Sequence, residues 1–124
     1  MKMIAWLMLA AALLPVVAAM ISKLGGKGYD NNNPRPWLER QEGWRARANA
    51  AQINLFEGLP FFYAAGLFAL HANVDPAYLG KLMLAWVLVR LVYLGLYVGG
   101  YGALRSLAWG VGIAVNIVIL FSAV

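Results

Sequence analysis

Four apolar runs, each close to the thickness of a bilayer, fill most of this chain and leave one extended polar segment between the first two. About 20 apolar residues in helical form match the hydrocarbon core of a membrane. In lipid a segment must satisfy its own backbone N–H and C=O groups, so runs of this kind fold as helices. In a chain of 124 residues, four such spans leave no room for a soluble domain. Hydrophobic residues make up 63% and charged residues only 12%, against roughly a quarter charged in soluble domains. The expectation is an all-α integral membrane protein: a single domain over residues 1–124, folded as a four-transmembrane-helix bundle.

The spans are read at about 3–22, 48–72, 76–99 and 103–124. The first has an apolar run longer than a typical signal peptide core and only Lys2 before it, so it reads as a true span, with Pro15 an expected kink. Residues 23–47 open on "GGKGYDNNNPRPW", the Gly, Asn and Pro chemistry of loops. "WLERQEGWRAR" follows as a helical lead-in, with Trp37, Gln41 and Trp44 on one face, suited to the headgroup layer. Asp75 before Pro76 is the N-cap pattern of a helix start. The glycines of "VGGYG" separate the last two spans.

Charge sets the orientation. Lys23, Lys27, Arg35, Arg40, Arg45 and Arg47 lie between spans 1 and 2, and Arg105 lies by the turn between spans 3 and 4, on the same side. The opposite side holds Lys2 and Lys81. The positive-inside rule then places loops 23–47 and 99–104 in the cytoplasm and both termini on the far, periplasmic side. The net charge of +5 is therefore a topology signal, and no nucleic-acid partner is inferred from it. The chain has no cysteine and one histidine, His71. Thiolate metal sites, clustered histidine sites and a cysteine nucleophile are excluded. His71 reads as a span-end residue at the outer interface.

Polar residues at bilayer depth mark structural or functional sites. At about 100° per residue, Arg47, Asn54 and Glu57 share one face of span 2, while Arg45, Asn49 and Gln52 share another. Two polar faces on one helix suggest that one looks into its own bundle and the other at a neighbouring subunit, hence a homo-oligomer. In span 3, Trp86, Arg90, Tyr93, Tyr97 and Tyr101 form a continuous stripe. Glu57 lies about 15 Å deeper than Arg47 at ~1.5 Å per residue, and Arg90 reaches a similar depth from Tyr101. The matched depth predicts a buried Glu57–Arg90 ion pair, whose disruption from one side would cost about 3–5 kcal/mol. In span 4, Arg105, Trp109, Gly112 and Asn116 share a face, and Asn116 is expected to hydrogen-bond another helix. From spacing alone, Arg105 also fits a boundary arginine that snorkels to phosphates.

"NAAQINLFEGLPFF" resembles a signature of the MAPEG family (membrane-associated proteins in eicosanoid and glutathione metabolism), through Asn54, Glu57, Pro60 and Phe62. "RLVYLGLYVGGYGALRSLAW" resembles its second signature, and "NNNPRPWLERQEGWRARANAAQ" is similar to bacterial members. The resemblance covers nearly the whole chain. It implies a homotrimer in a bacterial inner membrane, with glutathione bound between subunits near the cytoplasmic side and a lipophilic substrate arriving from the membrane lipid. It further implies that Gln52, Asn54 and Glu57 line or support the glutathione site, with Tyr93 and Tyr97 contacting it. Arg47 lies within reach of the same region. Arg105 would stabilise the thiolate, with Ser106 a secondary catalytic candidate. The implied activity is that of a glutathione-dependent transferase or peroxidase acting on a lipophilic electrophile. Four residues before Asn54, glutathione-using members carry an arginine that grips the tripeptide; this chain has Ala50. That departure leaves open a non-catalytic protein of the same fold, binding lipid or another small amphiphile or partnering membrane proteins. A third reading, a small multidrug-type transporter, requires an essential carboxylate in span 1, which contains no acid.

Overall fold

The computed structural model describes residues 1–124 and is entirely helical: α1 (Lys2–Lys23), α2 (Pro34–Glu39), α3 (Gly43–Glu57), α4 (Leu59–His71), α5 (Pro76–Gly99) and α6 (Gly102–Phe121). Four helices are long and apolar enough to cross a membrane, with α3 and α4 together forming the second, Gly43–His71. Only 27 of the 124 residues are buried in the protomer, so most of the apolar surface needs lipid or another subunit around it. The chain is a multi-pass membrane protein.

Each boundary has a local cause. α1 runs unbroken through Pro15, which is buried within it. Span 2 is divided at Gly58, because Pro60 has no N–H to offer the Phe56 carbonyl one turn back. Asp75 caps α5, its Oδ2 accepting from Tyr78 N at 3.1 Å, with Pro76 in the first turn. α5 ends on Gly100, at φ +84°. There Gly100 N donates to the Tyr97 carbonyl and Tyr101 N donates to the Leu96 carbonyl, the paired bonds that close a helix through a left-handed glycine. Tyr101 thereby leaves the stripe predicted for span 3. It lies between α5 and α6 and is exposed.

Packing relies on small residues and aromatic plates. Between apolar helices in lipid there is little hydrophobic drive, so close backbone approach and dispersion hold the bundle. Ala11, Ala18, Ala48, Ala51, Ala65 and Ala69 are all buried. Phe62 of α4 stacks on Trp86 of α5 with centroids 3.9 Å apart and planes 10° apart. Tyr63 Oη donates to the Met8 carbonyl at 2.7 Å, tying α4 to α1.

The polar loop is folded, although not as predicted. α2 stops at Glu39 and α3 begins at Gly43, with Gly43 at φ +64°. Trp37 and Trp44 therefore do not share a helix face. Trp37 is buried, its Nε1 donating to the Lys27 carbonyl at 2.9 Å and its ring edge-on to Tyr29. Trp44 is exposed and packs on the Arg45 guanidinium. Gly26 makes this possible, since a Cβ there would overlap the Trp37 ring. Trp37 pins the loop over the bundle end.

Trp37→Ala removes that pin while leaving the four spans intact. Limited proteolysis of detergent-solubilised protein is expected to cut residues 24–42 faster in the variant, with unchanged helical circular dichroism; equal cutting rates would mean that the loop is held by something else.

Candidate functional site

The helix break at Gly58 is where the site begins. Around it, α3, α5 and α6 converge, and their polar faces enclose a cavity of about 350 Å³ lined by Asn54, Glu57, Tyr93, Tyr97, Arg105 and Ser106, with Ala50, Ile53 and Trp109. This size falls within the usual range for small-molecule sites. The cavity opens on the protomer surface, where Ile53 is 53% and Trp109 47% exposed. The 3.6-residue period explains the convergence: Ala50, Asn54 and Glu57 project from one side of α3, Tyr93 and Tyr97 from one side of α5, and Arg105 and Trp109 from one side of α6.

Two arginines behave in opposite ways here. Arg90 is buried at 3% exposure. Its Nη2 donates to the Asn54 carbonyl at 3.0 Å and to Asn54 Oδ1 at 3.1 Å. Its Cζ lies 4.5 Å from the Tyr93 ring centroid and 5.6 Å from that of Trp86. The predicted Glu57–Arg90 ion pair does not form. Asn54, one turn before Glu57, points at Arg90, and Gly58 lets the guanidinium approach so closely that a Cβ there would sit 3.0 Å from Nη2. Glu57 projects instead toward the cavity and is exposed in the protomer. A buried arginine held by neutral oxygens and ring faces is a workable substitute for an ion pair, since hydrogen bonds to a charged donor and cation–π contacts both strengthen away from water.

Arg105 is held by one contact only. Its guanidinium lies 4.4 Å from the Tyr97 ring centroid, and Tyr97 in turn meets Tyr93 edge-on at 5.7 Å. That contact leaves the guanidinium N–H groups without a hydrogen-bond partner, beside the cavity that Arg105 lines. An arginine presented in this way can receive an anion with two or more parallel hydrogen bonds. Ser106, beside it in the cavity, is exposed.

Two predicted site residues lie elsewhere. Gln52 lines a separate cleft of about 550 Å³ under α2, with Arg35, Glu39, Asn49 and Glu57 among its walls. Glu57 borders both spaces. Arg47 Nε donates to the Val98 carbonyl at 3.0 Å, and the guanidinium packs against Gly100. It satisfies a carbonyl that the end of α5 leaves free, so its polar contacts are spent on the fold. Arg45 does likewise for α1, donating to the Leu24 carbonyl at 2.9 Å. Sequence reasoning passed over Ile53 and Trp109 as cavity walls; the register of Ile53 with Ala50 and Glu57, and of Trp109 with Arg105, was the available signal. Asn116 is buried and its Oδ1 has no partner in the protomer, so the expected helix–helix hydrogen bond is not made directly.

The MAPEG family model matches residues 3–124, essentially the whole chain. Among the curated proteins and the solved structures, none matches this chain.

The different fates of Asn54 and Glu57 separate structure from chemistry. Asn54→Ala is expected to lower stability by about 1–3 kcal/mol through loss of the Oδ1 bond to Arg90. Glu57→Gln should stay within about 0.5 kcal/mol, as a substitution without a structural partner does. Reversible unfolding in mixed micelles measures both, and a large loss for Glu57→Gln would restore the ion pair.

Proposed function

We propose that this chain, which belongs to the MAPEG family, is a glutathione-dependent membrane transferase or peroxidase acting on a lipophilic electrophile. One observation carries the reading: Arg105 lies over the Tyr97 ring, without a carboxylate partner, in a cavity shared with Tyr93, Ser106, Asn54 and Glu57. The chain has no thiol of its own, and glutathione would supply one, whose sulfur anion attacks an electrophilic carbon or a peroxide oxygen.

The residues present suit such a tripeptide. Arg105 would stabilise the thiolate, because a nearby positive charge favours the ionised form of a thiol. The Tyr93 and Tyr97 hydroxyls can donate to sulfur or to a carboxylate. Glu57, unpaired and facing the cavity, would accept from the ammonium group. Asn54 has its oxygens engaged by Arg90 and keeps its amide N–H for the ligand. Ser106 can donate to a leaving oxygen. The open outer wall, at Ile53 and Trp109, supports closure by a neighbouring subunit and thus a homotrimer. Gln52, in its separate cleft, would then face the neighbour's ligand, and Arg47 would support the site through the α5 terminus. Membrane lipid would deliver the lipophilic substrate. The basic loop favours a bacterial inner-membrane orientation with residues 23–47 and 99–104 cytoplasmic and both termini periplasmic, and its charge would draw in an anionic peptide.

Ala50 supports a second reading. It lines the cavity at the position where glutathione-using relatives resemble one another in carrying an arginine. Without that grip, the same space suits a small amphiphile whose anionic group meets Arg105, with no chemistry following.

Calorimetry decides between them. Glutathione is expected to bind the detergent-purified protein with micromolar to low-millimolar affinity, and Arg105→Ala should abolish the heat. Ala50→Arg should tighten binding by about tenfold, which corresponds to about 1.4 kcal/mol. No binding by the parent at high millimolar glutathione would overturn the transferase reading and favour an amphiphile ligand.

A further inference from the structure

Two buried polar side-chain atoms in the protomer lack a hydrogen-bond partner: Arg90 Nε and Asn116 Oδ1. One is a donor and the other an acceptor. Arg90 is 3% exposed and Asn116 2%. They sit on different helices, α5 and α6, and both line the same small cavity of about 20 Å³, together with Gly58, Trp86, Trp109, Gly112 and Ile113.

Chance does not easily put a lone donor and a lone acceptor against one space in an apolar bundle. A buried polar group without a partner costs about 1–3 kcal/mol, and nearly all such groups in native proteins are satisfied. A direct bond is absent, so the partner must fit between them. The space exceeds the roughly 10–15 Å³ that one water needs and is too small for an organic ligand. It is also polar enough: the Trp86 indole Nε1 borders Gly112 at its edge, adding a second donor. A water held by two donors and one acceptor makes the three hydrogen bonds usual for buried water.

We propose that one water molecule bridges Arg90 and Asn116 at this point, accepting from Arg90 Nε and donating to Asn116 Oδ1. The bridge joins α5 to α6 at the depth where Arg90 joins α5 to α3. It completes a polar chain from Asn116 through the water and Arg90 to Asn54, which lines the candidate site. Asn116 is then a positioning residue: it holds the far edge of the guanidinium whose near edge orients Asn54. This role explains why a buried amide sits mid-helix in α6 where an apolar residue would suit the interior of the bundle better. It does not depend on what the site binds.

The test compares two isosteric replacements, Asn116→Thr and Asn116→Val, and looks for the water directly. Thr keeps an oxygen for the water, whereas Val offers a methyl group of the same shape. The bridge requires Asn116→Val to unfold at a lower midpoint than Asn116→Thr, by ~4 °C or more. If Asn116 merely packs, the order reverses, because the apolar side chain suits an apolar bundle. A structure of the parent protein in lipid, at a resolution that shows ordered water, should hold one molecule within hydrogen-bond distance of Arg90 Nε and Asn116 Oδ1. Absence of that density, or Asn116→Val as stable as Asn116→Thr, overturns the bridge. Neither readout involves glutathione, so the outcome is separate from that of the binding experiment.

Discussion

A guanidinium buried in the middle of an apolar bundle is the constraint around which this protomer is arranged. Left alone at that depth, a charge costs several kcal/mol. Arg90 avoids much of the penalty through local measures taken by three elements. α3 turns Asn54 toward it and keeps Gly58 bare, so the guanidinium reaches both Asn54 oxygens. α5 flanks it with the faces of Trp86 and Tyr93. α6 brings Gly112 and Asn116 alongside. The break before α4 belongs to the same arrangement: Pro60 ends the regular ladder one turn after the residues that meet Arg90, and Phe62 of α4 then stacks on Trp86. Removing the arginine would leave each of these features without its reason.

The same fact separates two carboxylate-free arginines by function. Arg90 uses its donors on the fold. Arg105 has only a ring face beneath it. Each lies against one of two neighbouring tyrosines, Arg90 against Tyr93 and Arg105 against Tyr97. The edge-to-face tyrosines present a ring to each guanidinium, Tyr93 to Arg90 and Tyr97 to Arg105. The inner arginine thereby fixes the pair on which the outer one rests. A cavity-facing arginine with unspent donors attracts anions, while a structural one does not, and burial with partner count is what distinguishes them.

The helices were legible because lipid enforces them. Length, apolar content, the Asp75–Pro76 start and the glycines at residues 99–100 mark the spans to within a few residues. Helical spacing reached only the faces of single helices; Asn54, Glu57, Tyr93, Tyr97, Arg105 and Ser106, which the family resemblance grouped, line one cavity, while Gln52 and Arg47 lie outside it. Partner choice was not legible. Depth placed Glu57 and Arg90 at one level, yet rotation about α3 decided for Asn54, and a difference of one turn position is below what spacing can resolve. Arg47 and Arg45 read as topology charges or ligand contacts, and their partners turned out to be backbone carbonyls at the ends of α5 and α1. Carbonyls are not written in a sequence. Trp37 was misread for a related reason: the Gly43 turn separates it from Trp44, and its partner, the Lys27 carbonyl, is again backbone.

Ala50 is the position where fold and chemistry come apart. In the bundle it is a small residue on a helix whose neighbours Ala48 and Ala51 are buried against other helices, and packing alone would be content with it. In the cavity it is a wall without a donor. An arginine there would place a second guanidinium near Arg105, and two like charges facing one space repel unless an anion lies between them. Ala50 spares the empty-handed protomer that repulsion and leaves Arg105 as the sole cation among the cavity walls. Its consequence for binding is directional: a ligand with one anionic group loses little, whereas a tripeptide with two carboxylates loses a partner for one of them. On the proposed reading, the identity of this single side chain would bear directly on which anions the cavity accepts.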